Sequence, residues 1–216
     1  MEGIVMNQLL EIGTRELTDK CINTCFDLTY LDVYDMYFRR IREEVKNVLE
    51  IGVAAGGSLR TWREYFPNAQ IYGIDVNPDC MQREGKRIKI TIASQDDSVA
   101  IKGLLGDTKL DIVIDDGSHL NQLTIASFKA LYPYLNPNGF YCIEDIGLTW
   151  DLDIAQQARV GGWPGMRFNR SDIVQYNYRK DMVDFFEPIF KGIDEENGPI
   201  QYAHFWSKLC IMRKRP

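Results

Sequence analysis

The chain has 216 residues, 45% of them hydrophobic, with 25 Lys and Arg against 31 Asp and Glu for a net charge of −6. That length suits one α/β domain with a full core, and the acidic balance argues against a groove that tracks nucleic-acid phosphates. No apolar run approaches the ~18 residues of a membrane span, and the first residues lack a basic stretch leading into an apolar one. Five cysteines, an odd number without a CxxC pair, point to a reducing compartment rather than a disulfide framework, so the expected location is cytoplasmic.

Residues 1–45 read as a mixed helical segment. Within it Tyr30, Val33, Tyr34, Tyr37, Phe38 and Ile41 recur at spacings of three and four, the stripe of a helix that faces a core. Val48 to Val53 is a short apolar run ending in a glycine turn, and a helix over 58–65 follows, closed by Pro67-Asn68. Strands are expected at 71–75 and 88–92, a helix at 97–105, a strand at 111–115, a helix at 123–132 closed by Asn136-Pro137-Asn138-Gly139, and a strand at 140–144. Residues 146–170, rich in Gly, Trp and Arg without a clear period, read as a substrate lid, with Trp150, Trp163 and Arg167 available to pack it down or to meet a ligand. A helix is expected over 172–190. Two strands, 200–205 and 209–212, joined by Trp206-Ser207-Lys208, finish the chain as a hairpin.

Strands alternating with helices imply βαβ units. Their continuously apolar character implies helices on both faces. The expected fold is a single α/β domain over 1–216: a doubly wound, Rossmann-like, mostly parallel seven-stranded sheet ending in an antiparallel hairpin.

In such sheets ligands bind beyond the carboxyl ends of the strands, where strand order reverses. Acidic residues gather at those ends here: Glu50, Asp75, Asp115 and Asp116, and Glu144 and Asp145. Because buried carboxylates are costly, their concentration asks for a chemical reason. The first loop, Glu50-Ile51-Gly52-Val53-Ala54-Ala55-Gly56-Gly57, has Ala54 where a dinucleotide fingerprint carries the glycine that lets a pyrophosphate approach. That weakens an NAD-dependent oxidoreductase or epimerase. S-adenosylmethionine has no phosphate but has an amine, a sulfonium, a ribose diol and an adenine. The ordered set of Glu50 for the amine, the loop of Gly52, Ala54, Gly56 and Ser58, Asp75 for the ribose, Gln95 and Asp96 for the adenine, and Asp115 suits it.

The stretch VLEIGVAAGGSLRTWREYFPNAQIYGID (48–75) resembles class I methyltransferases, most closely the sugar O-methyltransferases of macrolide and glycan biosynthesis. DIVIDDGSH (111–119) and YCIEDI (141–146) resemble the same group. His204-Phe205-Trp206 falls in its histidine-aromatic motif, and Thr18-Asp19-Lys20 matches its TDK element, although Cys21 stands where the family continues with glycine. The resemblance implies methyl transfer from S-adenosylmethionine to a sugar hydroxyl, such as one of rhamnose or a related deoxysugar, on a small-molecule or glycan acceptor. It also implies Mg²⁺ or Mn²⁺ on Asp115, Glu144 and Asp145, a hard-oxygen set suited to those ions. His119, four residues past Asp115, and His204 are the candidate bases, with Asp116 able to orient either a ligand or His119. A catechol-type O-methyltransferase on the same fold is the alternative, a scaffold domain without catalysis is a further one, and a homo-oligomer stays open.

Overall fold

The computed structural model describes residues 7–22, 24–25, 27–146 and 179–216. Seven strands form one sheet: β3 (Asn47–Ile51), β4 (Gln70–Asp75), β5 (Ile88–Ile92), β6 (Leu110–Asp115), β7 (Leu135–Ile143), β8 (Ile200–Phe205) and β9 (Cys210–Lys214). Their order is β5-β4-β3-β6-β7-β9-β8. The first five are mutually parallel, and β9 runs antiparallel to both β7 and β8. This is the expected doubly wound sheet with its terminal hairpin. The chain leaves β3 toward β4 and β5 on one side and returns to β6 and β7 on the other. The order therefore reverses between β3 and β6, the position at whose carboxyl ends such sheets form a ligand crevice.

Alternating residues of each strand serve two cores. On one face Val48, Ile71, Ile112, Ile114, Phe140 and Cys142 meet α1 (Gln8–Glu16), α2 (Tyr30–Phe38) and α3 (Gly57–Tyr65) through Leu9, Tyr34, Phe38, Leu59 and Trp62. On the other, Leu49, Tyr72, Val113, Tyr141 and Ile143 meet α4 (Ser98–Leu105), α5 (Asn121–Leu131) and α6 (Arg179–Asp194) through Ile101, Leu131, Met182 and Phe186. Burial on both faces explains why the strands read as unbroken apolar runs.

The amino-terminal segment holds more than the expected helix. A two-stranded antiparallel ribbon, β1 (Thr24–Cys25) with β2 (Leu28–Thr29), precedes α2. Thr29 and Asp32 then close a reciprocal capping box that starts α2. β7 begins at Leu135 rather than at Phe140, with a register shift against β6 between Leu110 and Ile112. The Asn136–Gly139 stretch, expected as a helix-closing turn, therefore lies inside the strand. The expected lid, with Trp150, Trp163 and Arg167, falls outside the described residues apart from Ile146. All five cysteines are free, and among the described residues no helix is long and apolar enough to cross a membrane.

Candidate active site

The glycine loop after β3 and the loop after β6 touch at the crevice. Gly52 has φ +91°, and a Cβ there would lie 2.0 Å from the Asp116 carbonyl oxygen, so the position tolerates no side chain. Asp75, at the end of β4, fixes the loop from the other side. Its Oδ2 accepts the Val53 and Ala54 N–H groups at 2.8 and 3.1 Å, and its Oδ1 accepts from Asn77 N at 2.8 Å. Ala54 is held at φ +45°, a conformation a non-glycine residue adopts only when its surroundings enforce it. Gly56 caps α3, and Ser58 lies buried in that helix's first turn.

The strand pleat sorts the acids. Glu50, Asp116 and Glu144 share the parity of Val48, Ile114 and Cys142, so they fall on the face covered by α1, α2 and α3. There they converge on one cation. Lys20 Nζ lies 2.5 Å from Asp116 Oδ2, 2.8 Å from Glu144 Oε2 and 3.2 Å from Glu50 Oε1, and the Lys20 side chain is only 1% exposed. It reaches that point because α1 ends at Leu17 in a left-handed cap, after which a 3₁₀ turn (Asp19–Cys21) drives the next residues inward. Gly57 lets this corner approach α3, since a Cβ there would lie 3.0 Å from the Glu16 carbonyl oxygen. Burial disfavours the ammonium, but Asp116, Glu144 and Glu50 outweigh it and raise the amine well above the usual lysine range. Burial likewise pushes the Glu50 carboxyl up to about 7, with Lys20 pulling it back. Burial together with the charge of Asp116 raises Glu144.

Asp115 has the opposite parity. It projects toward α5, where Ser127 Oγ donates to its Oδ2 and Gln95 Nε2 to its Oδ1 at 3.3 Å. Burial pushes its carboxyl up to about 6 against the Ser127 hydrogen bond. The expected ligand set of Asp115, Glu144 and Asp145 is therefore not brought together. Asp115 lies across the sheet from Glu144, and Glu144 is held by Lys20 and by the Tyr34 hydroxyl at 2.7 Å.

A different trio meets at the rim. Asp116, His119 and Asp145 each offer a ligand atom within 4.8 Å of the others. His119 Nε2 lies 3.9 Å from Asp116 Oδ1 and 3.7 Å from Asp145 Oδ2. Two left-handed residues make this possible, His119 at φ +57° and Asp145 at φ +51°. The second turns Asp145 out of the β7 pleat, and the Tyr30 hydroxyl fixes it with a 2.7 Å bond to Oδ1. The two carboxylates are hard oxygen donors that fit Mn²⁺ or Mg²⁺, with the imidazole beside them.

Other expected site residues take different work. Glu50 is fully buried, and Trp62 Nε1 donates to its Oε2 at 3.0 Å, so it braces the site from within. Gln95 uses its amide nitrogen on Asp115 and Ser127, and its oxygen accepts from Ser118 N at 2.9 Å. Asp96 is exposed and accepts from Ser94. His204 lies on β8, the edge strand, where Nδ1 meets the Tyr37 hydroxyl at 2.8 Å and the ring stacks on Tyr202, so it stays outside the trio. Sequence reasoning missed Lys20, Tyr30 and Tyr34 as site residues. The two tyrosines hid in a stripe read as core, and only their i, i+4 hydroxyls on one helix face hinted at more.

No family model matches the chain. Curated relatives do. Demethylmacrocin O-methyltransferase of Streptomyces fradiae is 36% identical over 177 residues, covering 76% of this chain and 41% of its own length. Mycinamicin VI 2''-O-methyltransferase of Micromonospora griseorubida is 41% identical over 140 residues, covering 61% and 32%. Its homologues are macrolide and sugar O-methyltransferases. Among solved structures, MycE methyltransferase from the mycinamycin pathway, in complex with Mg, SAH and mycinamycin VI, superposes with a TM-score of 0.72 at 28% identity, over 96% of this chain and 54% of MycE. The fold is the Rossmann-like fold of these methyltransferases. The chain spans 41% or less of the two curated relatives above and about half of MycE.

Proposed function

We propose that this domain transfers a methyl group from S-adenosylmethionine to a sugar hydroxyl, with a divalent metal orienting the acceptor. The observation that carries the reading is the Asp116, His119 and Asp145 trio, set at the carboxyl rim beside a glycine loop that lacks the pyrophosphate glycine. The likeness to O-methyltransferases of rhamnosyl tetracenomycin and mycinamicin, and to a MycE complex holding Mg and SAH, supports both donor and metal.

The donor occupies the β3–β6 crevice, against the loop from Gly52 to Ser58 and beside Asp75. Asp116 and Asp145 would hold Mg²⁺ or Mn²⁺, which when bound acts as a Lewis acid that acidifies a coordinated sugar hydroxyl. His119 takes the hydroxyl proton. The acceptor oxygen forms its bond to the methyl carbon as the carbon–sulfur bond breaks, and sulfur keeps the electron pair. The rim residues contribute by holding nucleophile and methyl group in line. Tyr30 and Tyr34 keep the Asp145 and Glu144 carboxylates from swinging away. The acceptor class is a deoxysugar on a small molecule or glycan.

The test is transfer of labelled methyl from S-adenosylmethionine to a panel of rhamnosides and macrolide glycosides. EDTA abolishes turnover and excess Mg²⁺ or Mn²⁺ restores it. Full turnover in chelator removes the metal from the reading. Transfer to catechols in place of glycosides moves the acceptor to the alternative class.

A further inference from the structure

The mechanism leaves one buried charge unassigned. The Lys20 ammonium sits among the carboxylates of Glu50, Asp116 and Glu144, and it shares Asp116 with the trio. It grips Oδ2 at 2.5 Å, while Oδ1 of the same carboxylate faces His119. Glu144 is equally engaged, through Oε2, and its side chain is 1% exposed. Buried carboxylates this close repel one another, and taking away the cation that contacts all three leaves uncompensated charge in the interior. Asp116 and Asp145 would hold a divalent ion, and the ammonium already neutralises Asp116, so the two cations would draw on the same negative charge.

We infer that Lys20 is the resident counter-cation of the acidic rim, holding Asp116 and Glu144 together in the metal-free protein and, by neutralising Asp116, lowering the site's affinity for a divalent ion. The inference rests on the metal reading given above. It assigns the TDK element a positioning task inside the domain, one that Cys21 does not disturb. Lys20 sets how tightly the rim takes up metal.

The experiment compares metal-free wild type, Lys20→Met and Lys20→Arg. Mn²⁺ affinity is read by calorimetry or by the paramagnetic resonance of free Mn²⁺, and melting temperature is measured with and without the ion, all without donor or acceptor. Lys20→Met binds Mn²⁺ at least tenfold more tightly than wild type. It melts lower when metal-free, and Mn²⁺ raises its melting temperature by more than it raises that of wild type. Lys20→Arg, which keeps the charge, stays within about threefold of wild-type affinity. If Lys20→Met is insoluble without metal, refolding with and without Mn²⁺ replaces the melts: recovery only with Mn²⁺ supports the inference, and failure in both overturns it. Wild-type or weaker Mn²⁺ affinity in Lys20→Met also overturns it, while binding by wild type keeps the metal reading intact. Mn²⁺ bound by none of the three proteins removes the metal reading and this inference with it.

Discussion

At Gly52 the backbone of one rim loop touches the backbone of the other, and no side chain fits between them. Gly52→Ala adds a methyl 2.0 Å from the Asp116 carbonyl oxygen at a φ of +91°. Strained backbone and overpacking together should cost roughly 2–5 kcal/mol. A urea melt of the variant measures that loss, and a cost under ~0.5 kcal/mol, the range of neutral surface changes, would mean the loops part easily. The same contact shows what was legible at this scale. That acids collect at the strand tips was readable from the sequence. Which acids face each other was not, because in Asp115-Asp116 neighbouring side chains leave the strand on opposite faces. The apolar register, Ile112 and Ile114 toward one core and Val113 toward the other, already held the answer for Asp116 and Glu144. Asp145 was beyond it, because its φ of +51° breaks the pleat and no residue type in Glu144-Asp145-Ile146 demands that turn.

The elements that aim Lys20 form a corner: α1, a left-handed cap, a 3₁₀ turn and the start of α3. Leu17 makes that cap at φ 59°, with its N–H donating to the Gly13 and Thr14 carbonyls, and its side chain is 85% exposed. A left-handed L-residue costs ~1–2 kcal/mol, and glycine returns ~0.5–1 kcal/mol of that as unfolded-state entropy. Leu17→Gly should therefore stabilise the domain by about 0.5–1 kcal/mol while leaving the corner's hydrogen bonds in place. A lower denaturation midpoint would show that the Leu17 side chain contributes contacts worth more than the strain. Element reading from sequence succeeded where period and breaker agreed, as in β4 with its flanking Pro67-Asn68 and in the β8–β9 hairpin. It failed where a turn signal was overruled. Asn136-Pro137-Asn138-Gly139 reads as a turn, but pairing of Leu135 with Leu110 pulls it into β7, with a register shift to absorb the misfit. The β1–β2 ribbon escaped because two-residue strands carry no detectable alternation.

Among the described residues, two apolar cores grip opposite faces of one sheet, and buried polar groups gather at the rim between β3, β6 and β7. A ligand there touches loops that belong to both halves of the doubly wound sheet, so binding should stabilise the domain globally. A ligand at one hundred times its dissociation constant contributes ~2.7 kcal/mol to a folded state that alone binds it. For a chain of this size that corresponds to a rise of roughly 5–10 °C in melting temperature. S-adenosylhomocysteine, which lacks the reactive methyl but keeps the amine, ribose and adenine, should produce that rise. NAD⁺ at the same concentration should not, because Ala54 stands where a pyrophosphate needs glycine and its methyl group projects from a loop already clamped by Asp75. Thermal melts with each compound decide the matter. A shift with NAD⁺ and none with S-adenosylhomocysteine would hand the crevice to the oxidoreductase class, and the rim acids would then need a different chemistry to justify their burial.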